Sequence, residues 1–97
     1  MINRAHVWQL ITEERERQQT LWDHPHEWGT GDCSNPDLPD TLKLVILAEE
    51  GGEVARAVLE RNPNQLRDEL VQVAAVAVAW LESLPAPLDE SQEVLPL

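Results

Sequence analysis

Apolar positions along the chain fall into three stretches of helical period, separated by one long polar connection and one short one. From Asn3 to Trp22, the residues Ala5, Val7, Trp8, Leu10 and Ile11 recur at helical spacing before the segment turns highly charged. A stripe carried forward from Trp8 passes Ile11 and Thr12, then Arg15, Gln18 or Gln19, and Trp22. The side that begins apolar becomes polar halfway along, which predicts a helix whose second half lines something other than a dry core.

Between Asp23 and Pro39 the periodicity disappears among Pro, Gly, Asn, Ser and Asp, so this stretch is predicted to be a loop. Loops this long in a small domain are often functional lids or simply mobile. Trp28 inside it could cover a ligand, although packing back onto the helices is the ordinary expectation. A second helix is predicted from Asp40, as N-cap, through Thr41 to about Glu60, closed by Arg61 and Asn62 ahead of Pro63. Gly51 and Gly52 sit in its middle, where each glycine costs roughly 1 kcal/mol relative to Ala. Close approach of another helix or a ligand is expected to offset that cost. The third helix has the clearest start: Asn62 as N-cap, Pro63 at the first helical position and Gln65 placed to complete a capping box. It runs to about Leu84, and between Leu70 and Leu81 Gln72 is the only polar residue. A helix apolar all round must be covered on every side, and two other helices of the same chain can hardly do that. The pattern therefore predicts an all-α fold, a bundle of three main helices completed by homo-oligomerisation. The helical domain spans residues 1–84, with the loop at 23–39 and a loosely ordered tail at 85–97.

The composition limits what such a bundle can do. The chain has 97 residues, enough for one small domain. It has no Phe or Tyr, and its only aromatic residues are four Trp, so the core must be built from Leu, Val, Ile and Ala. A formal charge of −11 disfavours nucleic-acid and anionic-membrane partners, and no apolar run approaches the roughly 20 residues of a bilayer span. The single Cys33 excludes an internal disulfide and a cysteine-rich zinc module, and the start lacks the apolar run of a signal peptide. A cytoplasmic setting is expected.

The acids are not evenly spread. With Leu42 at zero on a helical wheel, Glu49, Glu53 and Glu50 fall at about −20°, 20° and 80°, one arc on an otherwise apolar helix. A solvated acidic face is normally interleaved with Lys, Gln or Ser. Three neighbouring like charges destabilise a helix unless a cation sits among them or protons neutralise them. On the third helix Glu69 and Gln72 share a face, and antiparallel packing sets them opposite Glu50 and Glu53. The result is an oxygen-rich site suited to hard cations such as Mg²⁺ or Mn²⁺. His6, His24 and His26 are expected to be ordinary surface or loop residues.

The strings LAEEGGEVARAVLE and LRDELVQVAAVAVAW resemble the MazG-like, all-α nucleoside triphosphate pyrophosphohydrolases, and the upstream ERERQ with Trp22 and Trp28 resembles their short single-domain members. The likeness covers roughly Glu13 to Leu84. It implies a helical bundle completed as a homodimer or a dimer of dimers. It also implies Mg²⁺-dependent hydrolysis of an NTP or dNTP to the monophosphate and pyrophosphate, in a housekeeping role. Glu50, Glu53 and Glu69 fall on the family's metal-ligand positions. Glu49 matches the first acid of the pair, which holds a further metal or helps activate water. The fourth ligand of the family is Asp; here it is Gln72, whose amide oxygen can coordinate Mg²⁺ but brings no charge. On this resemblance Arg15, Lys43 and Arg56 are the cationic groups nearest the site, Arg15 and Lys43 are nominated as phosphate contacts, and Gln18 and Trp22 are placed to meet the base by hydrogen bonding and stacking. The alternative is a non-catalytic helical module that oligomerises or binds nucleotide with a degenerate metal site.

Overall fold

The computed structural model describes residues 1–87. Three helices dominate it: α1 (Arg4–Leu21), α2 (Asp40–Leu59) and α3 (Pro63–Ser83). A minimal antiparallel hairpin, β1 (Pro25–His26) with β2 (Gly29–Thr30), lies inside the connection between α1 and α2. The chain is thus mostly helical, as the periodicity predicts. Residues 85–87 are irregular, and the rest of the expected tail lies outside the described residues.

The central element is α3, which packs against both other helices, while α1 and α2 do not pack on one another among the described residues. Lys43 hydrogen-bonds Ser83 and Asp40 hydrogen-bonds Trp80, so α2 runs antiparallel to α3. Arg15 meets Glu82 and Gln18 meets the Gln72 carbonyl, so α1 also runs opposite to α3. Two helices straddling a third leave a cleft between them, floored by α3 and closed at one end by the loop.

The helix ends follow from local chemistry, with two departures from expectation. At α1 the Asn3 Oδ1 accepts the His6 N–H at 2.9 Å. At α2 the N-cap is Pro39, with no side-chain cap; Asp40 is the first helical residue, and its Oδ1 accepts the Trp80 indole N–H at 2.8 Å. The expected cap is therefore a tie to α3, although an acid in the first turn still complements the helix dipole. α2 ends in a Schellman arrangement: Arg61 adopts φ 53°, its N–H bonds the Val58 carbonyl, and the Asn62 N–H bonds the Ala57 carbonyl. At α3 the Asn62 Oδ1 accepts the Gln65 N–H at 3.0 Å, as predicted. The reciprocal half of the capping box is not made, because the Gln65 amide donates to Glu69 Oε1 instead.

The core is small. Ile11, Cys33, Leu38, Ala57, Ala75, Val76 and Ala79 are buried, and Ile46 and Leu47 pack against the cluster of Cys33, Val76 and Ala79. Trp8, expected on the inward stripe of α1, is 58 % exposed; the stripe that faces inward runs through Val7, Ile11, Glu14, Arg15 and Gln18. On α2 Leu44, Val45, Val58 and Leu59 are exposed, and on α3 Leu70 and Leu81. A Cβ built on Gly51 or Gly52 would meet nothing within 4 Å, so the close approach expected to offset the two glycines is not supplied among the described residues. Among the described residues no helix is long and apolar enough to cross a membrane.

Candidate functional site

Glu50 projects from α2 toward α3, at the one-in-three-to-four spacing of Lys43, Ile46 and Leu47, Glu50, Val54 and Ala57 that turns this face inward. It is half-buried, and its Oε2 is buried without a hydrogen-bond partner among the described residues. From α3, Glu69 is 6 % exposed; its Oε1 accepts from Gln65 and its Oε2 is likewise buried without a partner. Burial, and then the nearby carboxylates of Glu69, Glu53, Glu14 and Glu49, push the Glu50 carboxyl above its ordinary value. Two orphaned buried carboxylate oxygens on facing helices are an arrangement that native proteins rarely leave uncompensated. The structure thus brings Glu49, Glu50, Glu53 and Glu69 into one neighbourhood. It also adds Glu14 of α1, which the sequence pattern did not single out. Glu53 is exposed and lies 3.8 Å from Arg56. Asp68 is exposed, one position off the buried line of Glu69. Among the described residues no group of three or more His, Cys, Asp or Glu side chains converges closely enough to hold a metal ion as it stands.

Glu49 and Glu50 form the wall between two cavities. One, of about 480 Å³, is polar and bounded by Glu49, Glu50, Gly52, Glu53 and Arg56. The other, of about 420 Å³, is the cleft between α1 and α2. Its floor is Gln72 and Val76 of α3, its sides are Gln18 of α1 and Ile46 of α2, and its mouth carries Trp22, His26 and Trp28. Those aromatic rings are mutually arranged: Trp22 stacks on His24 at 6.0 Å, His26 stands edge-on to Trp22 at 5.7 Å, and Trp28 lies 6.3 Å from His26. Trp28 is 56 % exposed at the cleft, so it does not pack back onto the helices. His26 is half-buried, and its Nε2 is 2.7 Å from the Gly31 carbonyl.

The loop holding these rings is fastened down. Gly29 has φ 139° and its missing Cβ would stand 2.8 Å from Leu38, so only glycine lets the hairpin lie on Leu38. Asp32 Oδ1 accepts from the Ser34 N–H and hydroxyl, an Asx turn, and the Asn35 amide donates to the Thr30 carbonyl. Arg15 and Lys43 complete the fastening, which corrects their nomination as phosphate contacts. Arg15 is 7 % exposed, donates to Asp32 at 2.6 Å, and grips Glu82 through two bonds of 3.0 Å. Lys43 is 1 % exposed, and its Nζ donates to the Asn35 carbonyl at 2.9 Å and the Ser83 hydroxyl at 2.8 Å. Both cations are consumed inside the protein and line neither cavity.

The cation that does border the cleft is Arg17, exposed and bidentate to Glu14 through two 2.7 Å bonds. That ion pair holds the Glu14 carboxyl below its ordinary range, and Gln18 adds a 3.0 Å bond to the same group. The signal that finds Glu14 is the second line on α1, Glu14, Gln18 and Leu21 at i, i+4 and i+7, beside the line of Ile11 and Arg15, and Arg17 follows as its i+3 partner. No protein-family model, curated protein or solved structure matches the chain.

Proposed function

We propose that this chain is a divalent-cation-dependent pyrophosphohydrolase of MazG-like type. It cleaves an NTP or dNTP to the monophosphate and pyrophosphate, in the cytoplasm, as a homodimer or dimer of dimers. The observation that carries the proposal is the pair of buried, unpartnered oxygens, Glu50 Oε2 and Glu69 Oε2, on facing helices beside a cleft rimmed by tryptophans. The donor set is all oxygen, which suits Mg²⁺ or Mn²⁺, and the two orphaned oxygens are the fit of these residues to such an ion. Glu50, Glu53 and Glu69 would hold it. The chemistry a cation supplies there is neutralisation of the triphosphate and a lowered pKa for the attacking water. Glu49, on the wall shared by both cavities, is the carboxylate in place to accept that water's proton. Arg17 meets the phosphates from the α1 side, and Trp22 with Trp28 stacks on the base.

The exposed apolar residues of α2 and α3, together with the open space over Gly51 and Gly52, support the oligomer, because helix surfaces of this kind are ordinarily covered. A second reading, a non-catalytic helical module that binds nucleotide or a partner, is favoured by one observation. The acids do not converge into a ready-made metal group, and Gln72 stands where a fourth acid would complete one.

The test is incubation of the purified protein with canonical and modified NTPs and dNTPs plus Mg²⁺ or Mn²⁺, assaying monophosphate and pyrophosphate. Turnover is expected with at least one nucleotide, and Glu53→Gln should lower it by about 10²-fold or more while helical content is unchanged. No turnover with any nucleotide, together with no metal-dependent shift in Tm, would leave the second reading standing.

A further inference from the structure

Glu49 and Glu50 border both cavities, whereas Gln72 borders only the cleft. It lines the cleft with Gln18, Trp22 and Trp28, and it is not part of the cavity bounded by Glu49, Glu50, Gly52, Glu53 and Arg56. It is half-buried, on a floor made otherwise of Val76 and the aliphatic side of α2. A neutral amide offers one acceptor and two donors to a ligand edge and no charge to a cation. Gln18 is already oriented: its Nε2 donates to Glu14 at 3.0 Å and to the Gln72 backbone carbonyl at 3.5 Å, which turns its Oε1 away from Glu14. A carboxylate can only accept, so Glu14 fixes which end of the Gln18 amide turns toward it.

We infer that Gln72 is a specificity-determining residue of the cleft and not a cation ligand. With Gln18 it reads the hydrogen-bonding edge of a planar heterocyclic base stacked at Trp22 and Trp28. The inference rests on the nucleotide reading above and deepens it. Gln18 contributes an acceptor, so the base must bring a donor to it, while Gln72 matches either polarity beside it. Apolar walls with a few converging polar groups are the ordinary makeup of a small-molecule site. Removing one of two amides from such a site costs about one hydrogen bond, roughly tenfold in affinity.

The experiment separates base from metal by titrating them individually. Nucleosides without phosphates (adenosine, guanosine, cytidine, uridine and their deoxy forms) are titrated in metal-free buffer, with quenching of tryptophan fluorescence as the readout. Mn²⁺ alone is titrated in parallel by electron paramagnetic resonance. The variants are Gln72→Ala, Gln72→Asp and, as a check that the signal arises at the cleft, Trp8→Phe, whose indole lies on the exposed side of α1. At least one nucleoside is expected to quench the wild type. Gln72→Ala and Gln72→Asp should each weaken it about tenfold and leave the Mn²⁺ isotherm unmoved, and Trp8→Phe should leave the quenching in place. Tighter Mn²⁺ binding by Gln72→Asp with nucleoside binding unchanged overturns the inference and returns Gln72 to the metal site. Turnover of a triphosphate without nucleoside quenching overturns the inference alone; absence of both overturns the pyrophosphohydrolase reading with it.

Discussion

Charge at single residues separates the site from its scaffold. Glu50 is destabilised as an anion, since burial and four other carboxylates raise its pKa in the folded state above the ordinary 4.5. The native state therefore binds more protons than the unfolded chain between those two values. Stability from this group is greatest below the ordinary value and is lost as pH rises through the raised one. Glu14 has the opposite sign, because Arg17 lowers its folded pKa, and its contribution is lost as pH falls below its ordinary value. In metal-free buffer Glu50→Gln should raise Tm at neutral pH and flatten the pH dependence on the mildly acidic side, as thermal melts across pH would show. A wild type that melts identically on both sides of that window contradicts the burial of this charge. Arg15 behaves otherwise. Arg15→Leu strands Asp32, whose side chain is 7 % exposed, and should destabilise by about 3 kcal/mol in denaturant melts. Arg17→Ala should destabilise by about 1 kcal/mol, because the Glu14 side chain it leaves without its cation is only 12 % exposed, and should act on nucleotide KM. The sequence made Arg15 and Lys43 visible as cations near the acids. It could not show that they are spent, because their partners Glu82, Asn35 and Ser83 come together only through tertiary packing, across separations as large as 67 residues.

Among the elements, the start of α3 is legible in Asn62 and Pro63, which act within one turn and need no distant partner, but not in Gln65, which Glu69 draws away from the capping box. Asp40 was misread as a cap for the converse reason: Trp80, forty positions away, takes its carboxylate. The wheel on α2 placed Glu49, Glu50 and Glu53 on one arc correctly, but which of them turns inward depends on where α3 lies. On α1 the stripe carried from Trp8 shares Ile11, Arg15 and Gln18 with the inward face, but Trp8, Thr12 and Trp22 are exposed, and Glu14 and Arg17 fall outside it. The paired glycines belong to this scale. With no side chain or other element among the described residues within 4 Å of a Cβ built on either, Gly51→Ala and Gly52→Ala should each stabilise α2 of an isolated chain by roughly 1 kcal/mol. Should the helix instead be met there by a second copy, the same substitutions weaken self-association. Melting temperature and sedimentation measured on each variant distinguish the two effects.

For the molecule as a whole, three helices and a long connection could be predicted, and the connection's internal structure could not. Its hairpin rests on a two-residue turn at Glu27 and Trp28 and on Gly29 fitting over Leu38, which no periodic pattern announces. Nor does sequence order reveal that α1 lies against α3 and leaves α2 alone, although that arrangement opens the cleft. The apolar surface left over on α2 and α3 predicts self-association. Light scattering at micromolar concentration should give at least twice the 11.0 kDa chain mass, and a monomer would contradict it.

The central position of α3 also sets an order of events during synthesis. α2 and α3 are joined by only three residues and pair locally, so they can zip together as soon as both exist. α1, although made first, has no helix to rest on until α3 is complete, and its Arg15 waits for Glu82 near the very end of that helix. A nascent chain stalled at the end of α2 is therefore expected to leave α1 open to protease, and release of α3 from the ribosome should close it in a single step.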